Sequence, residues 1–193
     1  MGIEKMETIS SYLNRRTLIS GEVKSGKTAR TLGILQAFIQ AGYANRIAVI
    51  DMAPDLVGGI GGKLTPPAEA SVFYLTTTIA APRLTGVDEP HVRRLARQNA
   101  RAIEALFAAL RRQPKEILFV NDASLYLQAG NLDTFLSLLG AASTQIINAY
   151  FGGTFKDSAL TQREKRLTAA LMKTCDQIIH VCPDAVKSES KEK

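Results

Sequence analysis

The sequence predicts an α/β fold: a mostly parallel central sheet with helices on both faces, in three layers. Three observations predict it. Apolar runs of strand length alternate with longer stretches of helical periodicity. Some of these runs, such as Ile47-Ala48-Val49-Ile50, are continuously apolar, as strands buried on both faces are. The first run, Thr17-Leu18-Ile19-Ser20, leads into Gly21-Glu22-Val23-Lys24-Ser25-Gly26-Lys27-Thr28, a complete G-x-x-x-x-G-K-[ST] pattern from which a helix leaves.

The elements follow in order. Ile3, Met6, Ile9 and Leu13 recur at near-helical spacing and predict an N-terminal helix within residues 1–15. The helix after the loop carries Leu32, Leu35, Phe38 and Ile39 inward and stops at Gly42. Strands are expected at residues 46–51 and 71–76, the second rich in branched and aromatic side chains. Residues 91–112 form a long helix, with Leu95, Ile103, Leu106, Phe107 and Leu110 inward and Pro114 beyond its end. A strand at 116–120 runs into Asn121-Asp122. A short helix at 131–139, a strand at 145–151, a helix at 158–173 and a strand at 176–181 complete the series.

At 193 residues this reads as a single domain, over 1–186, with a polar tail at 187–193 expected to be disordered. Its 46% hydrophobic and 22% charged residues are ordinary for a globular chain. No apolar stretch approaches a membrane span, and the N-terminus lacks a signal-peptide core, so a cytoplasmic setting without membrane association is expected. Cys175 and Cys182 lack C-x-x-C spacing and read as small core residues. The net charge of +6 suits phosphorylated ligands or nucleic acid without choosing between them.

The loop carries the chemistry. Glycines at both ends let successive amides turn inward toward phosphate oxygens, and the following helix adds its unpaired N-terminal donors. Residues Gly21, Glu22, Val23, Lys24, Ser25, Gly26, Lys27, Thr28 and Ala29 are therefore expected to cradle a nucleoside triphosphate: ATP as the commoner case, GTP as the alternative. Lys27 would neutralise the terminal phosphates, and Thr28 would ligate Mg²⁺. Lys24 either touches a phosphate from outside or lies in solvent.

In parallel sheets ligands sit at the carboxyl ends of strands. That rule gathers the loop, Asp51, residues 76–78, Asn121-Asp122 and Gly152-Gly153 along one edge. Asp122 is the candidate acid for the metal, with capping of the following turn as its other role. Asp51 is either a general base for an acceptor hydroxyl or water, or a turn acid. Residues 57–67, Gly- and Pro-rich, read as a mobile loop rather than regular structure: a lid over nucleotide or second substrate, or a connector. Arg93, Arg94, Arg97 and Arg101 form a basic stripe, either a nucleic-acid contact or a solvated face. Arg163 and Arg166 are candidates for a charge-stabilising arginine.

The loop with Lys24 and Ser25 resembles the G-x-x-R-S-G-K-S loop of adenosylcobinamide kinases. Val120-Asn121-Asp122-Ala123-Ser124-Leu125-Tyr126-Leu127 is similar to their V-D-C-L-T-L-W-L segment, with Asn121 in the place of their Asp, and residues 163–181 are similar to their penultimate helix and final strand. Gly26-Lys27-Thr28, Leu32-Gly33, residues 118–122 and Gly130-Asn131-Leu132-Asp133 also resemble the ATP:corrinoid adenosyltransferases, with Asp122 in the place of their Glu. That family's loop is one residue shorter, and its T-G-R turn is Ala149-Tyr150-Phe151 here. Residues 52–90 match neither. Both resemblances imply a RecA-like P-loop NTPase domain. The functions left open are Mg²⁺-dependent hydrolysis or group transfer to a small-molecule acceptor, an NTP-driven regulatory switch, and a module acting on a protein or DNA partner, with oligomerisation possible in any of them.

Overall fold

The computed structural model describes residues 8–182. Six strands form one sheet: β1 (Arg16–Gly21), β2 (Ile47–Asp51), β3 (Phe73–Thr76), β4 (Ile117–Asn121), β5 (Thr144–Tyr150) and β6 (Gln177–Val181). They lie in the order β3-β2-β4-β5-β1-β6, and every pairing is parallel. The helices are α1 (Lys27–Gln40), α2 (Pro82–Thr85), α3 (Glu89–Arg112), α4 (Ala123–Leu127), α5 (Leu132–Leu139) and α6 (Ala159–Met172). The α/β class and the parallel sheet are as the sequence predicts.

Alternation along each strand divides the core in two. Ile19, Ile47, Val49, Ile117, Phe119 and Ile146 face α1 and meet Ile34, Leu35 and Phe38. Leu18, Ala48, Ile50, Leu118, Val120, Ile147 and Ala149 face the other way, against Ile103, Phe107, Leu110, Tyr126, Phe135 and Leu171 from α3 to α6. On that side Phe107 stacks on Phe135 at 6.0 Å and meets Tyr126 edge-on at 5.0 Å. Both faces are covered, so the central strands must be apolar on both. That explains the apolar runs at β2 and β4, and the mainly apolar β5, where Asn148 is a buried polar exception toward the loop.

Several expectations change. The N-terminal helix is represented by a 3-10 turn at Ile9–Ser11, with residues 1–7 outside the described part. The polar tail also lies outside it. Cys182 is exposed rather than in the core, whereas Cys175 is half-buried, and burial pushes its thiol up to about 11. The short helices α2 and α4 were not anticipated. Among the described residues no helix is long and apolar enough to cross a membrane.

Within the glycine segment, residues 57–60 close on an isolated antiparallel bridge, outside the named strands. Val57 and Ile60 exchange both backbone hydrogen bonds, at 2.9 and 3.0 Å, around Gly58 (φ 57°) and Gly59 (φ 74°). Two left-handed central residues make a tight hairpin turn, which glycine adopts without Cβ strain. The hairpin is tied down beyond its tip, where Lys63 donates to the carbonyls of Ala53 and Thr77.

Candidate functional site

The loop joining β1 to α1 is shaped by its neighbours. Gly21 pairs with Val181 of β6, and a Cβ there would lie 2.2 Å from the Val181 carbonyl oxygen. Only glycine lets β1 end so close to the edge strand. Lys24 (φ 58°) and Gly26 (φ 89°) then take left-handed backbone, curling the loop toward the start of α1. The first turn of α1 has no side-chain cap and no acid, so its amides and the positive end of its dipole suit an anion.

Glu22, inside this loop, accepts from Gly153 N and from Thr154 Oγ1 at 2.6 Å, latching the loop to the segment after β5. Those hydrogen bonds hold its carboxyl below the usual range. Lys27 Nζ donates to the Glu22 carbonyl and lies 5.9 Å from the centre of the Tyr150 ring. Burial lowers the Lys27 pKa, and the charges of Asp122 and Glu22 oppose that drop.

Beneath the loop runs a chain of buried amides. Thr28 Oγ1 donates to Asn121 Oδ1 at 3.4 Å, and Asn148 Nδ2 donates to the same oxygen at 2.8 Å and to Thr31 Oγ1 at 2.9 Å. Asn148 Oδ1 accepts from Asp122 N at 2.8 Å. One β5 side chain therefore connects α1 to the end of β4. Asp122 itself is left-handed (φ 57°), a conformation Asp tolerates better than most residues. Its carboxylate accepts from Ser124 Oγ, and burial raises its pKa against the pull of Ser124, Lys27 and Arg83.

Asp51 is placed differently from Asp122. It is fully buried, and its carboxylate accepts from Ala53 N (3.0 Å), Leu64 N (2.5 Å), Tyr74 Oη (2.8 Å) and Asn121 Nδ2 (2.8 Å). Four donors occupy its lone pairs, and it does not line the cleft described next.

A cleft of about 340 Å³ opens over the loop. The loop and the start of α1, from Val23 to Ala29, form one wall, and the glycine hairpin forms another. Lys24 lies against that hairpin: a Cβ on Gly59 would sit 3.2 Å from Lys24 Nζ. The far wall is Arg83 and Leu84 of α2, Asp122, Ser124, Leu125 and Gln128 around α4, and Tyr150 with Phe155. Thr28 and Asp122 thus share one cavity, offering a hydroxyl and a carboxylate, hard oxygen donors of the kind Mg²⁺ takes beside phosphate and water. Among the described residues, no three His, Cys, Asp or Glu side chains gather into a metal-binding cluster.

Arg83, absent from the sequence-based candidates, supplies the third cation of the cleft. Its guanidinium meets the buried Glu164 of α6 in two contacts of 3.1 Å and lies 3.8 Å from the centre of the Phe155 ring. Gln128 Nε2 donates to Glu164 Oε2 at 2.7 Å. Burial raises Glu164 to about 7, with Arg83 and Gln128 pulling it down. The arginines that were candidates lie elsewhere. Arg163 donates to the Gly130 carbonyl at 2.7 Å, Arg166 is exposed, and neither lines the cleft. Arg93, Arg94, Arg97 and Arg101 are exposed on α3, also away from the cleft, with Arg93 paired to Glu89 at 3.1 Å.

No protein-family model and no curated protein matches this chain. The solved structures similar to it include an ATPase and a helicase. One is the VirB11 ATPase from the Brucella suis type IV secretion system in complex with sulphate: 15% identity over 90% of this chain and 44% of that one, TM-score 0.49. The other is Pif1 helicase from Candida albicans: 13% identity over 94% of this chain and 40% of that one, TM-score 0.38. This chain spans less than half the length of either. Likeness this remote fixes neither substrate nor partner.

Proposed function

We propose that the chain binds a nucleoside triphosphate in this cleft and transfers its terminal phosphoryl group to water or to a small acceptor. The observation that carries the reading is that the loop from Val23 to Ala29, with Thr28 in it, and Asp122 line one cavity, rather than lying on separate surfaces. The loop amides and the first turn of α1 hold the polyphosphate, and Lys27 swings from the Glu22 carbonyl to the terminal phosphates. Thr28 and Asp122 hold Mg²⁺, which neutralises phosphate charge when bound. Asp51, with both carboxylate oxygens already accepting, positions Asn121 and the hairpin instead of taking a proton.

The glycine hairpin and the apolar side chains Leu84 and Leu125 line the same cleft as the loop, and we assign an acceptor to the space on their side. That space makes group transfer, as in the kinases the loop resembles, the first case to test. The governing experiment is calorimetry of ATP and GTP with Mg²⁺ on the wild type and on Lys27→Ala. Micromolar binding of one nucleotide, weakened roughly 10- to 100-fold in the variant by loss of a charge-assisted contact, is expected. No heat with either nucleotide, or equal affinity in the variant, ends the reading. A screen of small metabolites for accelerated triphosphate consumption then separates transfer from hydrolysis.

A further inference from the structure

Four features of the far wall are not accounted for by the phosphate cradle or the metal donors. Arg83 comes from α2, a four-residue helix between β3 and α3, and its side chain is only 12% exposed. Glu164 reaches it from α6 and is itself 2% exposed at the side chain. Arg83 Nη1 is buried and makes no well-aligned hydrogen bond, despite its 3.1 Å approach to Glu164. Gln128, also buried, offers Oε1 without a partner on the same wall.

A purely structural ion pair is a poor account of this arrangement. Removing two charges from water costs several kcal/mol per ion in general, and an apolar pair would fasten α2 to α6 as well. The guanidinium is also aimed by more than Glu164. Phe155 lies under it, and Tyr150 sits 5.3 Å from its central carbon. The same Tyr150 ring lies 5.9 Å from Lys27 Nζ, so Arg83 and Lys27 approach one aromatic ring between them. Arg83 also acts electrostatically on Asp122. A planar cation, fixed beside the terminal-phosphate lysine and short of one hydrogen-bond acceptor, is suited to a phosphoryl group.

We propose that Arg83 is an arginine supplied by the chain itself to the terminal phosphate, reading its presence and stabilising its charge during transfer. This rests on the nucleotide reading above. In hydrolysis the water oxygen bonds to the γ-phosphorus while the bond to the β–γ bridging oxygen breaks. The electron pair leaves on the nucleoside diphosphate, and the water proton is released, giving diphosphate, inorganic phosphate and H⁺. Arg83 faces the γ-phosphoryl oxygens, whose charge Lys27 opposes from the other side. Glu164 and Gln128 are positioning residues, acting through Arg83.

The test compares ADP with the non-hydrolysable triphosphate AMP-PNP, each with Mg²⁺, on the wild type and on the double variant Arg83→Met with Glu164→Gln. The pair is changed together so that no lone charge stays buried. The wild type should bind AMP-PNP at least tenfold more tightly than ADP. The double variant should keep ADP affinity within about threefold, lose the AMP-PNP preference, and lose turnover by on the order of 10³-fold. Arg83→Lys, which keeps the cation against Glu164, serves if the double variant does not fold, and should lose the preference at least partly. An unchanged AMP-PNP-to-ADP ratio in a folded variant, or an equal fall for both ligands, overturns the assignment while leaving nucleotide binding intact. Absence of binding in the wild type, or indifference to Lys27→Ala, instead removes the nucleotide reading and this proposal with it.

Discussion

Asn121 donates its side-chain amide to Asp51 Oδ1 at 2.8 Å, tying the last residue of β4 to the last residue of β2. The bond orients Asn121 so that its oxygen faces Thr28 and Asn148. With Ala53, Leu64 and Tyr74 also donating, Asp51 works as an anchor for the strand ends and the hairpin.

Asp51→Asn should therefore destabilise the fold by about 2–4 kcal/mol, since one oxygen becomes a donor facing donors. Urea unfolding measures it. A variant of unchanged stability that has lost only turnover would restore the proton-accepting role and refute the anchor.

Asn148 satisfies three groups at once: Asp122 N, Asn121 Oδ1 and Thr31 Oγ1. Asn148→Ala leaves buried polar atoms without partners and should cost about 2–4 kcal/mol by the same assay. Because Asp122 loses its backbone tether, magnesium dependence of nucleotide binding should weaken too, which a titration of Mg²⁺ at fixed nucleotide reads. Weakened stability with unaltered magnesium dependence would mean that Asn148 does not position Asp122.

Glu164 gives a pH signature. Its pKa is raised from 4.5 to about 7 by burial, so the folded state holds a proton that the unfolded chain has released between those values. Stability from this group is then fully present below about pH 4.5 and is lost as pH rises through 7, by up to about 3 kcal/mol. Glu164→Gln cannot titrate. Relative to that variant, the wild type should lose stability as pH climbs across this window. Parallel curves for the two proteins would refute the shift.

Much of this molecule was legible beforehand. Continuous apolar runs marked β2 and β4, a partly polar one marked β5, and the loop pattern, with its glycines and lysine at fixed spacing, marked the turn between β1 and α1 that lines the cleft. Asp122 was singled out from its place at a strand end, and it lines the cleft. The hairpin was not drawn from the sequence: Val57-Gly58-Gly59-Ile60 is two glycines between apolar residues, a tight-turn signal, and the segment was read only as a mobile loop, lid or connector. Arg83 and Glu164 were not legible. Glu164 sits among Arg163, Lys165 and Arg166, which reads as a solvated helix face, and only the meeting of α2 with α6 buries it. Arg83 belongs to no motif, and its one local signal is Pro82 at the first turn of α2.

The sheet order has a geometric consequence. Since β5 stands between β1 and β4, the phosphate cradle and the acid hang from strands two spacings apart, roughly 9–10 Å. Here the middle strand acts as a ruler, setting the separation of the two halves of the proposed site.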